Sequence, residues 1–252
     1  MAGSFDLTGK TALITGSSRG IGKAIALELA AHGAEILIHC SENVKAAGDA
    51  IQEARARGRK AWLLQAELGR AGAAGRLRES AAALVAQVDI LVLNASVQCR
   101  RKWHEVGSEE FDRQIAVNLK SSLELIQLFA PAMMERRWGR VLAIGSVQQT
   151  RPHPEMIVYS ASKAAQMNMV ITLARELAGF GVTVNNLSPG VIETDRNRDA
   201  LSDEAYRRGK LSSIPCGYFG KPADCASAAL LLCSEEGGYI REPLEMLFQQ
   251  VF

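Results

Sequence analysis

The strongest constraint on the fold of this chain is an alternation that runs through it from one end to the other. Short apolar, β-branched runs at Thr11 to Thr15, Glu35 to His39, Ala61 to Gln65, Asp89 to Leu93, Arg140 to Gly145 and Val182 to Leu187 are separated by longer segments of helical period. Those segments cover Gly22 to Ala31, Lys45 to Arg57, Gly75 to Ala86, Phe111 to Arg136 and Met156 to Phe180. Two parallel strands can be joined only by a crossover, and a helix is its usual filling, so the pattern predicts βαβ units. Right-handed crossovers place such helices on both sides of the strands. The expected fold is α/β: a single-domain Rossmann fold, a doubly wound parallel sheet with helices on both faces.

With 252 residues and 48% hydrophobic composition the chain can bury a sizeable core, and one domain over residues 1–252 is expected. Lys and Arg number 29 against 27 Asp and Glu, which leaves no field that favours nucleic acid or an anionic membrane over a small ligand. The five cysteines, Cys40, Cys99, Cys216, Cys225 and Cys233, form no C-x-x-C pair and read as reduced, mostly buried thiols with no metal site. No apolar run reaches membrane-spanning length, and Met1 to Lys10 lacks the layout of a secretory signal, so the cytoplasm is the expected compartment. The least periodic segments, about 96–106, 148–155 and 191–217, each follow a strand and are expected to be the substrate loops.

The first run leads straight into Thr15-Gly16-Ser17-Ser18-Arg19-Gly20-Ile21-Gly22 and then into the helix-forming Lys23-Ala24-Ile25-Ala26-Leu27. Glycines admit positive φ and close approach of the backbone to a pyrophosphate, and a helix start offers N–H donors and the positive end of a dipole. The spacing is G-x-x-x-G-x-G rather than G-x-G-x-x-G, and in this it resembles the short-chain dehydrogenase/reductase family, whose fingerprint is T-G-x-x-x-G-x-G. The resemblance implies that Gly16, Ser18, Arg19, Gly20, Ile21 and Gly22 meet the cofactor. The second strand ends His39-Cys40-Ser41-Glu42, with no carboxylate at its tip to hold a ribose 2′-hydroxyl, while Arg19 and Ser41 suit a 2′-phosphate. NADP(H) is preferred; NAD(H) is possible through Glu42. Glu67 and Leu68 stand where the family often has its adenine contacts, and Asn94-Ala95-Ser96 replaces the more usual Asn-Ala-Gly. Pro189-Gly190-Val191-Ile192-Glu193-Thr194 resembles the P-G-x-x-x-T stretch at the nicotinamide end, which implies contacts from Pro189, Gly190, Ile192 and Thr194.

Tyr159-Ser160-Ala161-Ser162-Lys163 puts Tyr159 and Lys163 at i,i+4 on one helix face, where an ammonium can bring a phenol toward a useful pKa. Ser146 ends the fifth strand, and Asn118 lies on the preceding helix. By resemblance, Asn118, Ser146, Tyr159 and Lys163 are the catalytic tetrad. Tyr159 exchanges a proton with a carbonyl or alcohol oxygen, Ser146 orients that oxygen, Lys163 also meets the nicotinamide ribose, and Asn118 holds a relay water. Tyr159 and Lys163 are therefore cofactor contacts as well. The match extends over roughly Leu7 to Ile240 and implies an NAD(P)-dependent oxidoreductase.

The expected partner is a small carbonyl or alcohol substrate. Gln98, Arg101, Trp103, His104, Gln148, Gln149, Arg151 and His153 in the loops favour a polar one such as a sugar acid or polyol. The alternative is a 3-oxoacyl-[acyl-carrier-protein] reductase. Met134 to Arg140 would then offer an acidic carrier basic groups near the crevice, although Phe180 stands where many such reductases have a basic residue. An alternative of another class is a nucleotide-binding sensor or scaffold without turnover. The resemblance also implies a homotetramer paired through the helices of Asn118 and Tyr159. The tail departs from the family's V-D-G-G-like close, with Leu244 to Phe248 as a candidate last strand.

Overall fold

The computed structural model describes residues 4–240, with side chains for all of these except residues 199 and 200. Six strands, β1 (Thr11–Ile14), β2 (Glu35–Cys40), β3 (Ala61–Gln65), β4 (Ile90–Leu93), β5 (Gly139–Ile144) and β6 (Val182–Leu187), form one sheet in the order β3-β2-β1-β4-β5-β6. Every pairing is parallel. Alternate side chains feed two cores. Ala12 and Ile14 of β1, Ile36 and Ile38 of β2 and Ile90 and Val92 of β4 pack on one face, while Leu13, Leu37 and Leu91 pack on the other. Because both faces are covered at the centre of the sheet, β4 reads as an unbroken apolar run rather than an alternating one.

The first face is roofed by α1 (Gly20–Ala31), α2 (Val44–Arg55) and α9 (Pro222–Cys233). The second is roofed by α3 (Ala73–Ala82), α5 (Ser121–Glu135) and α6 (Ile157–Leu177). Strand order reverses between β1 and β4, so the carboxyl ends of β1, β4, β5 and β6 open onto one crevice.

Three features depart from expectation. The single helix expected over Phe111 to Arg136 is α4 (Ser108–Ile115), a π-helical turn (Ala116–Lys120) and then α5. The segment 191–217 is not merely loop: it holds α7 (Asp195–Ser202) and α8 (Glu204–Ser212). These two short helices gather around a cluster of their own, Leu201, Ile214 and Phe219 with Val191, Tyr206 and Leu211 against them, separate from both sheet cores. Helix α9, with Pro222 at its first turn, has no counterpart in the expected elements. Leu244 to Phe248 lie outside the described residues. Among the described residues no helix is long and apolar enough to cross a membrane, no group of His, Cys, Asp or Glu suits a metal ion, and the five cysteines are free.

Candidate active site

β1 delivers the chain into the glycine turn with Gly16 at φ +63° and Gly20 at φ +59°, the left-handed region that side chains avoid. Arg19 precedes α1 in extended backbone and gives no side-chain cap, so the first-turn N–H groups are left for a ligand. A Cβ on Gly16 would lie 2.9 Å from Ala95 Cα, and one on Gly22 would lie 2.6 Å from the Gly16 carbonyl. The turn is thus drawn against the loop after β4 as closely as backbone allows. Thr15 Oγ1 accepts the N–H groups of Asn94 (2.9 Å) and Ala95 (3.0 Å), and the Asn94 side chain donates to the carbonyls of Thr15 and Gly16, both at 2.9 Å. Asn94 and Ala95 therefore brace the cradle, and Asn94 also lines the crevice.

His39, almost fully buried, holds the same turn from the other side. Its Nδ1 accepts the Gly16 N–H at 2.9 Å, which leaves the proton on Nε2 for the Ala66 carbonyl at 3.0 Å. Burial above all pulls its pKa down from 6.5 to about 4, against the opposing effects of the Ala66 carbonyl and Glu67. A group whose folded pKa lies below its unfolded one gives stability that is complete above the unfolded value, here 6.5, and is lost as pH falls toward 4. The loss is about 3 kcal/mol. We predict that the urea midpoint falls between pH 6.5 and 4.5, and that His39→Asn starts lower but falls less over that range. An equal fall in both would show that His39 is not the acid-sensitive group.

The crevice is a cleft of about 460 Å³. Of the expected cofactor residues, Gly16, Arg19, Gly20, Ile21, Asn94, Ser96, Pro189, Gly190, Ile192 and Thr194 line it, with Thr194 packed close to Gly20. Arg19 is exposed, with Nη1 4.0 Å from the Asp195 carboxylate. Ser41 is exposed beyond β2, Glu67 is half-buried and Leu68 is buried; these three, Ser18 and Gly22 do not line the cleft. This cradle fits a dinucleotide: tight backbone, free helix-start donors, and no Cβ in the way.

Ser146 and Tyr159 both line the cleft, near enough for the Ser146 hydroxyl to hydrogen-bond toward the phenol. Burial pushes the Tyr159 hydroxyl above its ordinary pKa; the positive charge of Arg196 and the bond to Ser146 oppose that rise. Lys163 is buried beneath, its Nζ donating to the Ile144 carbonyl (2.7 Å) and Gln166 Oε1 (3.0 Å). Burial, with the Arg196 charge, pulls its pKa down to about 7. Arg196, which the sequence reading did not name, thus adds a positive charge that acts on Tyr159. Asn118 sits in the π turn, fully buried, clasping Val97 through Oδ1 to its N–H (2.8 Å) and Nδ2 to its carbonyl (2.9 Å), with Nδ2 also 3.1 Å from Ser162 Oγ. A π turn adds a residue to one turn of helix and re-aims the side chains in it, which is why such turns gather at functional sites.

Among the expected substrate groups, Gln98, Gln148, Arg151 and His153 line the cleft, and Arg101, Trp103, His104 and Gln149 do not. Trp103 and His104 stack edge to face on the surface, while Gln149 bonds Ser188 below the floor. Arg196, Tyr206 and Lys210, from the unexpected α7 and α8, complete the wall. The i,i+4 spacing of Tyr206 and Lys210 was the one available hint of them. Arg136, Arg137 and Arg140 do not approach the cleft. They cluster where β5 begins, at the opposite edge of the sheet, and bond the Val88 and Gly179 carbonyls, Asp89, Glu235 and the Ser234 carbonyl.

Residues 10–205 match the family model described as short chain dehydrogenase. The 3-oxoacyl-[acyl-carrier-protein] reductase of Escherichia coli is 39% identical over 233 residues, covering 92% of this chain and 93% of the relative. Among solved structures, a 3-oxoacyl (acyl-carrier-protein) reductase of Agrobacterium tumefaciens with NADP bound superposes at a TM-score of 0.90 and 39% identity, over 96% of this chain and 94% of that one. A gluconate 5-dehydrogenase of Burkholderia cenocepacia in complex with NADP and tartrate superposes at 0.90 and 30% identity, over 96% and 95%.

Proposed function

Since this chain belongs to the short-chain dehydrogenase family and is an NAD(P)-dependent oxidoreductase, we propose that it interconverts a carbonyl and a secondary alcohol on a small polar substrate such as a sugar acid or polyol, with NADP(H). The observation that carries the reading is that Tyr159 and Ser146 line the same cleft as the glycine cradle. A bound nicotinamide supplies or accepts the hydride.

The chain's own residues handle the proton. Tyr159, held above its ordinary pKa by burial, keeps its proton at neutral pH and gives it to the substrate oxygen as charge develops there. Ser146 Oγ accepts the Gln148 N–H at 3.1 Å, which fixes its rotamer and frees its proton to orient the same oxygen. Lys163, with a pKa near 7, exchanges a proton close to neutrality and restores Tyr159. Asn118, locked by Val97, holds the inner end of the path to solvent. Gly16, Ser18, Arg19, Gly20, Ile21 and Gly22 hold the dinucleotide phosphates, with Arg19 and Ser41 toward a 2′-phosphate. Glu67, Leu68, Asn94, Ala95 and Ser96 form its adenosine side. Pro189, Gly190, Ile192 and Thr194, with Tyr159 and Lys163, form its nicotinamide side.

The polar wall of Gln98, Gln148, Arg151, His153 and Tyr206 supports a hydroxylated substrate. The second reading, reduction of carrier-bound 3-oxoacyl groups, is supported by the name of the 39% identical relatives. It loses the docking surface expected of Arg136, Arg137 and Arg140, which lie across the sheet from the cleft. Residues 1–252 act as one dinucleotide-binding unit in the cytoplasm. Exposed Phe111, Leu123, Leu128 and Ile157 on the helices flanking Asn118 and Tyr159 support a homotetramer, which a one-chain mass in sedimentation would refute.

The deciding experiment follows nicotinamide absorbance with NADPH or NADH across sugar acids, polyols, small ketones and 3-oxoacyl thioesters, in both directions. Turnover of a sugar acid or polyol couple, faster with NADP(H), is expected. Thioesters outrunning every polyhydroxy compound would replace the first reading with the second.

A further inference from the structure

Arg196 is absent from the sequence-based site, yet it stands over the cleft. Its Nη1 donates to Ser96 Oγ at 2.9 Å and its Nη2 to the Ser96 carbonyl at 2.8 Å, which ties α7 to the loop after β4. Both partners are neutral, and two of the five guanidinium N–H donors are used. Among the described residues no carboxylate lies within ion-pair distance of Arg196. The neighbouring Asp195 is already engaged by Arg198 and approached by Arg19. Among the described residues Arg196 is thus a cation held by neutral partners on the cleft wall, close enough for its charge to be felt at Tyr159 and Lys163.

The wall around it has the same sign. Lys210 lines the cleft, lies 5.5 Å over the Tyr206 ring, and has no carboxylate partner among the described residues. His153 is pulled below its ordinary pKa by burial and by the charges of Arg100 and Lys210, a sign of the positive field there. Asp195 is the one acidic residue among the described residues that line the cleft. An apolar or neutral polyhydroxy substrate would offer this cation no ionic partner, whereas an anionic one would.

We propose that the substrate is a small hydroxy or oxo acid whose carboxylate is taken by Arg196, with Lys210 adding to the field, while its reacting oxygen lies on Tyr159. This rests on the reading above and narrows it. A carboxylate is favoured over the phosphate of a carrier-bound thioester because Arg196 acts on the same floor that holds the reacting oxygen. In such a thioester the phosphate is many bonds removed from the ketone.

The test is equilibrium binding, independent of turnover, by calorimetry with the NADP⁺-saturated protein. The probes are tartrate, a hydroxy diacid, and threitol, its neutral counterpart. Tartrate is expected to bind about tenfold or more tightly than threitol, with an affinity that weakens as NaCl is raised. Arg196→Gln should abolish most of that preference, a loss of about tenfold to a hundredfold. Arg196→Lys should retain part of it, and Lys210→Gln should cost a few-fold. NADP⁺ affinity should stay within about twofold throughout, because Arg196 is exposed and its removal disturbs no core. Equal binding of the two probes, or of neither, overturns the proposal. So does an Arg196→Gln protein that loses NADP⁺ affinity while keeping its preference for tartrate, since the cation would then serve the dinucleotide phosphates. Failure of hydride transfer on every substrate would count against the proposed function and leave this binding result standing.

Discussion

Tyr159→Phe is expected to lower kcat about a thousandfold while NADPH affinity changes by no more than about threefold. Tyr159, in the first turn of α6, is buried at the cleft, and phenylalanine keeps that packing. What goes is one hydroxyl, and with it the proton that must reach the substrate oxygen. Ser146 keeps its rotamer through the Gln148 N–H, so the orienting group survives the change. The loss should fall on kcat rather than KM, because the proton is transferred in the transition state and contributes little to ground-state binding. Single-turnover absorbance with saturating substrate, beside a fluorescence titration of NADPH, reads both quantities. Retained kcat would remove Tyr159 from the chemistry.

Gly22→Ala is expected to destabilise the protein by about 3 kcal/mol and to cost most of its dinucleotide affinity, although alanine is the better helix former by about 1 kcal/mol. Gly22 has ordinary helical backbone, so the conflict is one of space. A methyl group there would meet the Asn94 side-chain amide and lie 2.6 Å from the Gly16 carbonyl. The Asn94 amide bonds the Thr15 and Gly16 carbonyls, so displacing it loosens the whole turn. Gly48→Ala in α2 is the control: nothing lies within 4 Å of its added Cβ, and the propensity term alone should leave that variant neutral or slightly stabilised. Thermal melting of the two variants side by side separates crowding from propensity; equal melting temperatures would mean that the cradle yields at no cost.

The strands were the most legible part of this chain, and β3 and β6 begin and end where their apolar runs do. Most strand residues are buried on both faces, so even the polar Thr183, Asn185 and Asn186 of β6 lie inside and leave its extent readable. The break between α4 and α5 was hidden because the apolar period continues through Ala116–Lys120 while only the hydrogen-bond register changes. Helices α7 and α8 carry too few apolar residues to show a stripe, and α9 has nearly the opposite problem, with alanine, leucine and cysteine on much of its surface. At the site, Tyr159 with Lys163 and the glycine turn were visible as short local patterns, and the cleft brings Tyr159 to Ser146. Arg196 was not visible, because its meaning lies in a bond to Ser96, 100 residues away. His39 was hidden for the same reason, since inside a strand its letter reads as one more core position.

The small cluster of Leu201, Ile214 and Phe219 has an evolutionary consequence. It gives one wall of the cleft a foundation apart from the sheet, so residues at 195–217 can be exchanged without repacking the cores that hold the glycine turn and the tyrosine. Specificity and catalysis then mutate against separate stability reserves. A library confined to this cassette should yield folded, nucleotide-binding proteins far more often than an equal number of changes scattered over α1 and α6. In a chain built this way, acquiring a new substrate amounts to refurnishing one room.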